Sequence, residues 1–153
     1  MNIVLVNPDI PGNTGNIGRT CVGTNKTLHL VGKLGFSLDD KYLKRSGLDY
    51  WKDLDLKVHE NWNLFLETIP KNSSLLFFEK DAEKEFWEAP YSNDCYLIFG
   101  SETKGFSEKL IEQYKENFYK IPMTGPIRSL NLSSSVAVVV YEAIRQVRNK
   151  VVA

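Results

Sequence analysis

Six short apolar runs, separated by stretches of helical character, constrain the fold of this chain more than any other feature. The runs are NIVLV (2–6), LHLV (28–31), LDLKV (54–58), LLFFE (75–79), YLIFG (96–100) and FYKIP (118–122). Helical patterning covers about 15–25, 39–46, 61–69, 82–88 and 107–116, and a last helix runs from about 132 to 149. Strands alternating with helices predict an α/β fold, a mostly parallel sheet with helices on both faces, because parallel strands need a crossover between them. IVLV and YLIF are continuously apolar, as strands covered on both faces require. No repeat, low-complexity tract or linker breaks the pattern, so 1–153 reads as a single domain.

The last helix carries Val136, Val140, Ala143, Ile144 and Val147 at helical spacing, and its opening VAVVV is apolar all round. A helix of that kind is buried on every side, which predicts packing on the sheet and on a second subunit. The chain holds 19 Lys plus Arg against 19 Asp plus Glu. With zero net charge, nucleic-acid binding requires a local basic face or one assembled by oligomerisation. Cys21 and Cys95 give neither a disulfide framework nor a metal pattern and read as reduced thiols. The N-terminus MNIVLVNPD lacks a basic n-region, and no apolar run approaches the ~20 residues of a membrane span. The expected location is the cytoplasm.

Three irregular stretches, 7–15, 100–107 and 122–131, each follow a strand, where open α/β sheets bind ligands. The first, NPDIPGNTGNIGRTC (7–21), opens a helix. It can offer backbone N–H groups to an anion, or it can be a tight turn that needs glycine. Its Gly12, Gly15 and Gly18 match neither GxGxxG nor a P-loop. Arg19 reads as a first-turn residue, disfavoured there by the macrodipole unless it faces a phosphate or carboxylate; a surface ion pair is the plain alternative. In IFGSETKGFS (98–107), Gly100 leaves room for a ligand against the backbone, and Ser107 is suited to cap the next helix. In TGPIRSLNLSSS (124–135), Arg128 and Asn131 offer donors and acceptors for phosphate, ribose or base edges. One of Ser133 to Ser135 is expected to cap the last helix. His29 and His59 lie in strand patterns away from the serines and read as structural or exposed, which leaves a serine hydrolase without a base. No cluster has metal-ligand spacing.

In this order, NPDIPGNTGNIGRTC, LIFGSETKGF and IPMTGPIRSLNLSSSVAVVVYEA resemble the three signature motifs of the SPOUT class of RNA methyltransferases, over essentially the whole chain. The short length, with GFSLDDKYLKRSGLDYW between motifs, is similar to the minimal TrmL (YibK-type) members; Ser101 stands where that pattern has Pro. The resemblance implies S-adenosylmethionine-dependent methylation of the ribose 2′-oxygen of the wobble cytidine or uridine in leucine tRNAs. It also implies a C-terminal deep trefoil knot, a homodimer through the knotted helix, and the tRNA anticodon stem-loop as partner. Carried over by position, the cofactor meets backbone at Phe78, Gly100, Ile121, Met123 and Leu130, with Ser129 close by. The catalytic set is Arg19, Asn16, Glu102 and Asn131, and Arg128, Ser133 and Ser135 face the RNA. Lys41, Lys44 and Arg45, with Tyr141 on the last helix, would complete an RNA surface, although the basic trio also reads as a solvated helix face. A guanidinium that holds its proton to above pH ~12 makes Arg19 a phosphate clamp that polarises the hydroxyl rather than a base. Methylation of another RNA and a non-catalytic nucleotide- or RNA-binding module stay open alternatives.

Overall fold

The structure, a computed structural model, describes residues 1–47 and 49–152. In chain order its elements are β1 (Asn2–Val6), α1 (Pro11–Thr24), β2 (Thr27–Val31), α2 (Lys41–Gly47), β3 (Leu56–His59), α3 (Trp62–Thr68), β4 (Leu75–Phe78), β5 (Lys84–Glu85), β6 (Tyr96–Phe99), α4 (Glu108–Gln113), β7 (Phe118–Lys120) and α5 (Leu132–Val152). The strands form one sheet in the order β3-β2-β1-β6-β4-β7-β5, and each of their pairings is parallel.

Strand side chains alternate between two faces, both covered over the central strands β1, β6 and β4. Ile3, Leu5, Leu28, Leu30, Leu97 and Phe99 pack with Ile17 and Cys21 of α1 and with Val136, Val139, Val140 and Ala143 of α5. Val4, Val6, Val31, Phe77 and Ile98 pack on the other face with Phe65 of α3 and Leu110 of α4. Each such aliphatic side chain contributes about 2 kcal/mol of burial. Cys21 is sealed in this core, and burial pushes its thiol up to about 12. Among the described residues, no helix is long and apolar enough to cross a membrane.

Two expectations are corrected. Residues 82–88 are not a helix: Lys84–Glu85 pairs with β7 as an edge strand, and Phe86–Glu88 is a single 3-10 turn. A reciprocal capping box between Glu85 and Glu88 holds that turn, and Pro90 follows it. Helix α1 starts at Pro11, not near 15, so Arg19 lies in its interior rather than its first turn and the macrodipole reasoning lapses. Within the chain, VAVVV is covered on the side that faces the sheet. Val136, Val139 and Val140 are fully buried, but Val138 is 38% and Tyr141 60% exposed.

His29 and His59 form a relay on the β2–β3 side of the sheet. The Asn2 Oδ1 oxygen, an acceptor only, lies 3.0 Å from His29 Nε2, so that nitrogen carries the proton. His29 Nδ1 therefore accepts from His59 Nε2–H at 3.0 Å. Burial, reinforced by His59 and Lys57, pushes His29 down to about 4. Burial also lowers His59, with Lys57 adding to it. A base whose pKa is lowered by folding leaves the unfolded chain holding more protons, so stability falls as pH drops from about 6.5 to 4. The loss attributable to His29 is roughly 3 kcal/mol at most. Urea unfolding at stepped pH checks this: His29→Gln should flatten the slope in that window, and an unchanged slope would contradict it.

Candidate active site

Neighbouring strands β1, β6, β4 and β7 all run the same way, so their carboxyl ends open at one edge of the sheet. The three irregular loops converge there on a cleft of ≈510 Å³, lined by Phe78, Gly100, Glu102, Ile121, Leu130 and Asn131 among others. That size falls within the range of small-molecule and cofactor sites, about 300–1,000 Å³.

The second loop folds back on itself directly after β6. Ser101 N–H donates to Gly105 O at 3.1 Å and Gly105 N–H to Ser101 O at 2.9 Å. A Cβ on Gly100 would lie 2.6 Å from the Gly105 carbonyl carbon. The space that glycine frees is thus filled by the loop's own return strand, which corrects the expectation that it is left for a ligand. Ser107 caps α4 as expected, its hydroxyl accepting from Leu110 N–H.

Glu102 reaches from this loop to the first. Its carboxylate accepts from Asp9 N–H at 3.0 Å and from Ile10 N–H at 2.6 Å. Helix α1 has no side-chain cap at Ile10. The anion from 92 residues away takes that place and complements the positive end of the helix. Asp9 returns the tie: its Oδ2 accepts from Ser101 Oγ and Thr103 Oγ1, each at 2.5 Å. Those hydroxyls hold the Asp9 carboxyl below its usual range.

Asn13 joins the third loop to the other two, and sequence reasoning missed it. Its Nδ2 donates to Glu102 Oε2 at 3.4 Å, and its Oδ1 accepts from Asn131 Nδ2 at 3.0 Å. Asn131 Oδ1 then accepts from Ser133 N–H at 2.9 Å and from Ser133 Oγ at 2.6 Å. Asn131, rather than one of the serines, therefore occupies the capping position before α5. The direction of the whole chain follows from Glu102: a carboxylate only accepts, so each amide must turn its NH2 toward it. An asparagine in a Gly/Asn-rich turn carries no sign of such a task, and the only local hint is that Asn13 is 7% exposed.

The expected cofactor positions Phe78, Gly100, Ile121, Ser129 and Leu130 all line the cleft. Met123 lines an adjoining groove of ≈390 Å³, which shares Ile121 and Arg128 with the cleft. Glu102, Asn131, Arg128 and Ser135 also line it. The structure does not bring Asn16 or Arg19 there: both are exposed on α1, with the Arg19 guanidinium 5.6 Å from the Tyr50 ring centroid. Ser133 is spent on Asn131. Lys41, Lys44 and Arg45 are exposed on α2, and Lys44 pairs with Asp39 at 3.7 Å across open solvent, a contact that contributes little. Tyr141 is exposed on the outer face of α5.

A solved structure described as "Structural insights into the 2-OH methylation of C/U34 on tRNA" superposes with a TM-score of 0.90 at 42% identity, covering 95% of this chain and 94% of that one. A Bacillus subtilis protein provisionally named tRNA (cytidine(34)-2′-O)-methyltransferase is 43% identical over 149 residues, 95% of this chain and 92% of its own. A Synechocystis protein of the same provisional name is 44% identical, covering 97% of this chain and 98% of its own. The chain belongs to the SpoU rRNA Methylase family, whose pattern matches residues 1–141.

Proposed function

We propose that this chain uses S-adenosylmethionine to methylate the ribose 2′-oxygen of the cytidine or uridine at tRNA position 34, the wobble nucleotide, with leucine tRNAs the expected substrates. The convergence of three loops on one cleft, stitched by the Glu102–Asn13–Asn131 chain, is the observation that carries the reading. The names of the relatives in Bacillus subtilis and Synechocystis support cytidine 34, and the description of the solved structure adds uridine. The reading treats 1–153 as one cytoplasmic domain with the SPOUT trefoil knot at its C-terminus.

The cleft suits the cofactor by its chemistry. Phe78, Ile121 and Leu130 give apolar wall for an adenine, and the backbone at Gly100, Met123 and Leu130 gives hydrogen-bonding edges, with Ser129 beside them. When bound, the cofactor would supply a sulfonium methyl group, which passes to the 2′-oxygen as its C–S bond breaks and S-adenosylhomocysteine leaves. The protein's part is alignment, which is worth several kcal/mol. Arg128, Ser135 and Asn131 hold the ribose and its phosphates at the cleft mouth. Arg19 clamps the neighbouring phosphate and polarises the 2′-hydroxyl, whose proton passes toward that phosphate, and Asn16 supports it. Lys41, Lys44 and Arg45 extend the RNA surface toward the anticodon stem-loop.

Because Asn16 and Arg19 do not line the cleft of their own chain, the reading places them at the cleft of a second copy. The exposed stripe Ser134, Val138 and Tyr141 of α5 supports that assembly. Sedimentation should show a dimer that Val138→Asp converts to a monomer with loss of methyl transfer; a monomeric wild type would contradict it. Calorimetry with S-adenosylmethionine tests the cofactor directly. One site per chain is expected, and no binding with no methyl transfer would remove the reading.

A further inference from the structure

Helix α1 carries two glycines in its interior, Gly15 and Gly18, on the flank of Arg19. The segment after α2 packs two consecutive aromatic residues, Tyr50 and Trp51, against this stretch of the helix. A Cβ on Gly18 would lie 3.0 Å from Trp51 Cζ3 and 3.3 Å from Leu54 Cδ2, so any larger residue would push that ring outward by a few tenths of an ångström. Beside it, half-buried Tyr50 donates its hydroxyl to Gly15 O at 2.7 Å. In an α-helix that carbonyl is also the acceptor for the N–H of Arg19, four residues on. The same Tyr50 ring lies under the Arg19 guanidinium, 5.6 Å from its centroid. One side chain therefore grips both the backbone turn that carries Arg19 and the Arg19 head group. Burial pushes the Tyr50 phenol up, against the pull of Arg19.

We infer that Tyr50 is a positioning residue for methyl transfer: its ring and hydroxyl hold Arg19 in the orientation in which it meets the RNA. The inference rests on the reading above, in which Arg19 faces the reacting nucleotide. An arginine on an exposed helix face samples many rotamers. A flat aromatic platform narrows them, and a preset guanidinium loses less freedom when it meets a phosphate. The aromatic segment also accounts for the glycine at position 18 of the first motif, where Trp51 packs against the helix backbone.

A mutant cycle under single-turnover conditions, with enzyme in excess over tRNA and saturating cofactor, tests this. Tyr50→Leu should slow methyl transfer about tenfold. Tyr50→Phe, which keeps the platform and loses the hydroxyl, should lose only about threefold. In an Arg19→Ala background, Tyr50→Leu should cost nothing further, because its effect passes through Arg19. An equal loss in both backgrounds would make Tyr50 structural and overturn the inference. If Arg19→Ala transfers methyl at the wild-type rate, it is the role of Arg19 that fails instead. A measurement independent of activity covers a background too slow to time. The ring current of Tyr50 should shift the Arg19 Hε resonance, and Tyr50→Leu should return it to its unstructured position. An unchanged Arg19 resonance in a folded Tyr50→Leu protein would also overturn the inference.

Discussion

Gly100→Ala is expected to lower the melting temperature by roughly 10 °C, a cost of about 3 kcal/mol, and to abolish S-adenosylmethionine binding. The new methyl group would sit 2.6 Å from the Gly105 carbonyl carbon, 2.8 Å from its oxygen and 3.0 Å from Phe106 N. All three are backbone atoms, so no rotamer change relieves the contact. The loop can only open, which breaks the paired Ser101–Gly105 hydrogen bonds and displaces Glu102, one residue further on, from α1. Gly12→Ala and Gly23→Ala make the contrast, because nothing lies within 4 Å of a Cβ at either helical position. There alanine should be neutral or stabilising by up to about 1 kcal/mol. Thermal melts with cofactor titration check all three; a Gly100→Ala protein that melts and binds as the wild type does would contradict the loop geometry.

Glu102→Gln, nearly identical in shape, is expected to slow methyl transfer by roughly 10- to 100-fold and to cost about 2 kcal/mol of stability. Both carboxylate oxygens face donors: Asp9 N–H on one side, and Ile10 N–H with Asn13 Nδ2 on the other. An amide has only one acceptor end, so one backbone N–H must meet an NH2 group. The misfit passes along Asn13 and Asn131 to the capping position of α5, because the polarity of that chain is set by the carboxylate. On this view Glu102 acts by positioning the three loops. The pattern of loss is the check: burial of the cofactor and alignment of the RNA should suffer together, so both the cofactor Kd and kcat should change. A lowered kcat with the Kd and the melting temperature unchanged would point to direct contact with the reacting atoms.

The sheet was legible because its strands announce themselves locally: IVLV and YLIF are apolar throughout and stand side by side at the sheet centre. The loops were legible by position, since each follows a strand that ends at the same edge. What stayed hidden depends on partners distant in sequence. Pro11 at the first helical position is a local sign of where α1 starts, but the group that caps it, Glu102, comes from 92 residues away. The strand at Lys84–Glu85 exists because β7 offers an edge to pair with, which outweighs the helical look of 82–88. Asn13 gains its role from Glu102 and Asn131, 89 and 118 positions later. Gly18 looks like part of a phosphate-binding turn until Trp51 is seen against it. For Asn16 and Arg19, the motif marked the residues, but a single chain does not bring them to the cleft that the other motif positions line.

The most direct test is position mapping of the product. Purified protein, labelled S-adenosylmethionine and bulk RNA from a strain lacking this gene would be incubated together, and the RNA then analysed by nucleoside mass spectrometry and fragment mapping. The account predicts label in tRNA alone, as a 2′-O-methyl cytidine or uridine at position 34. Label in ribosomal RNA, at another tRNA position or on a base atom would contradict it, as would no label from a protein that binds the cofactor.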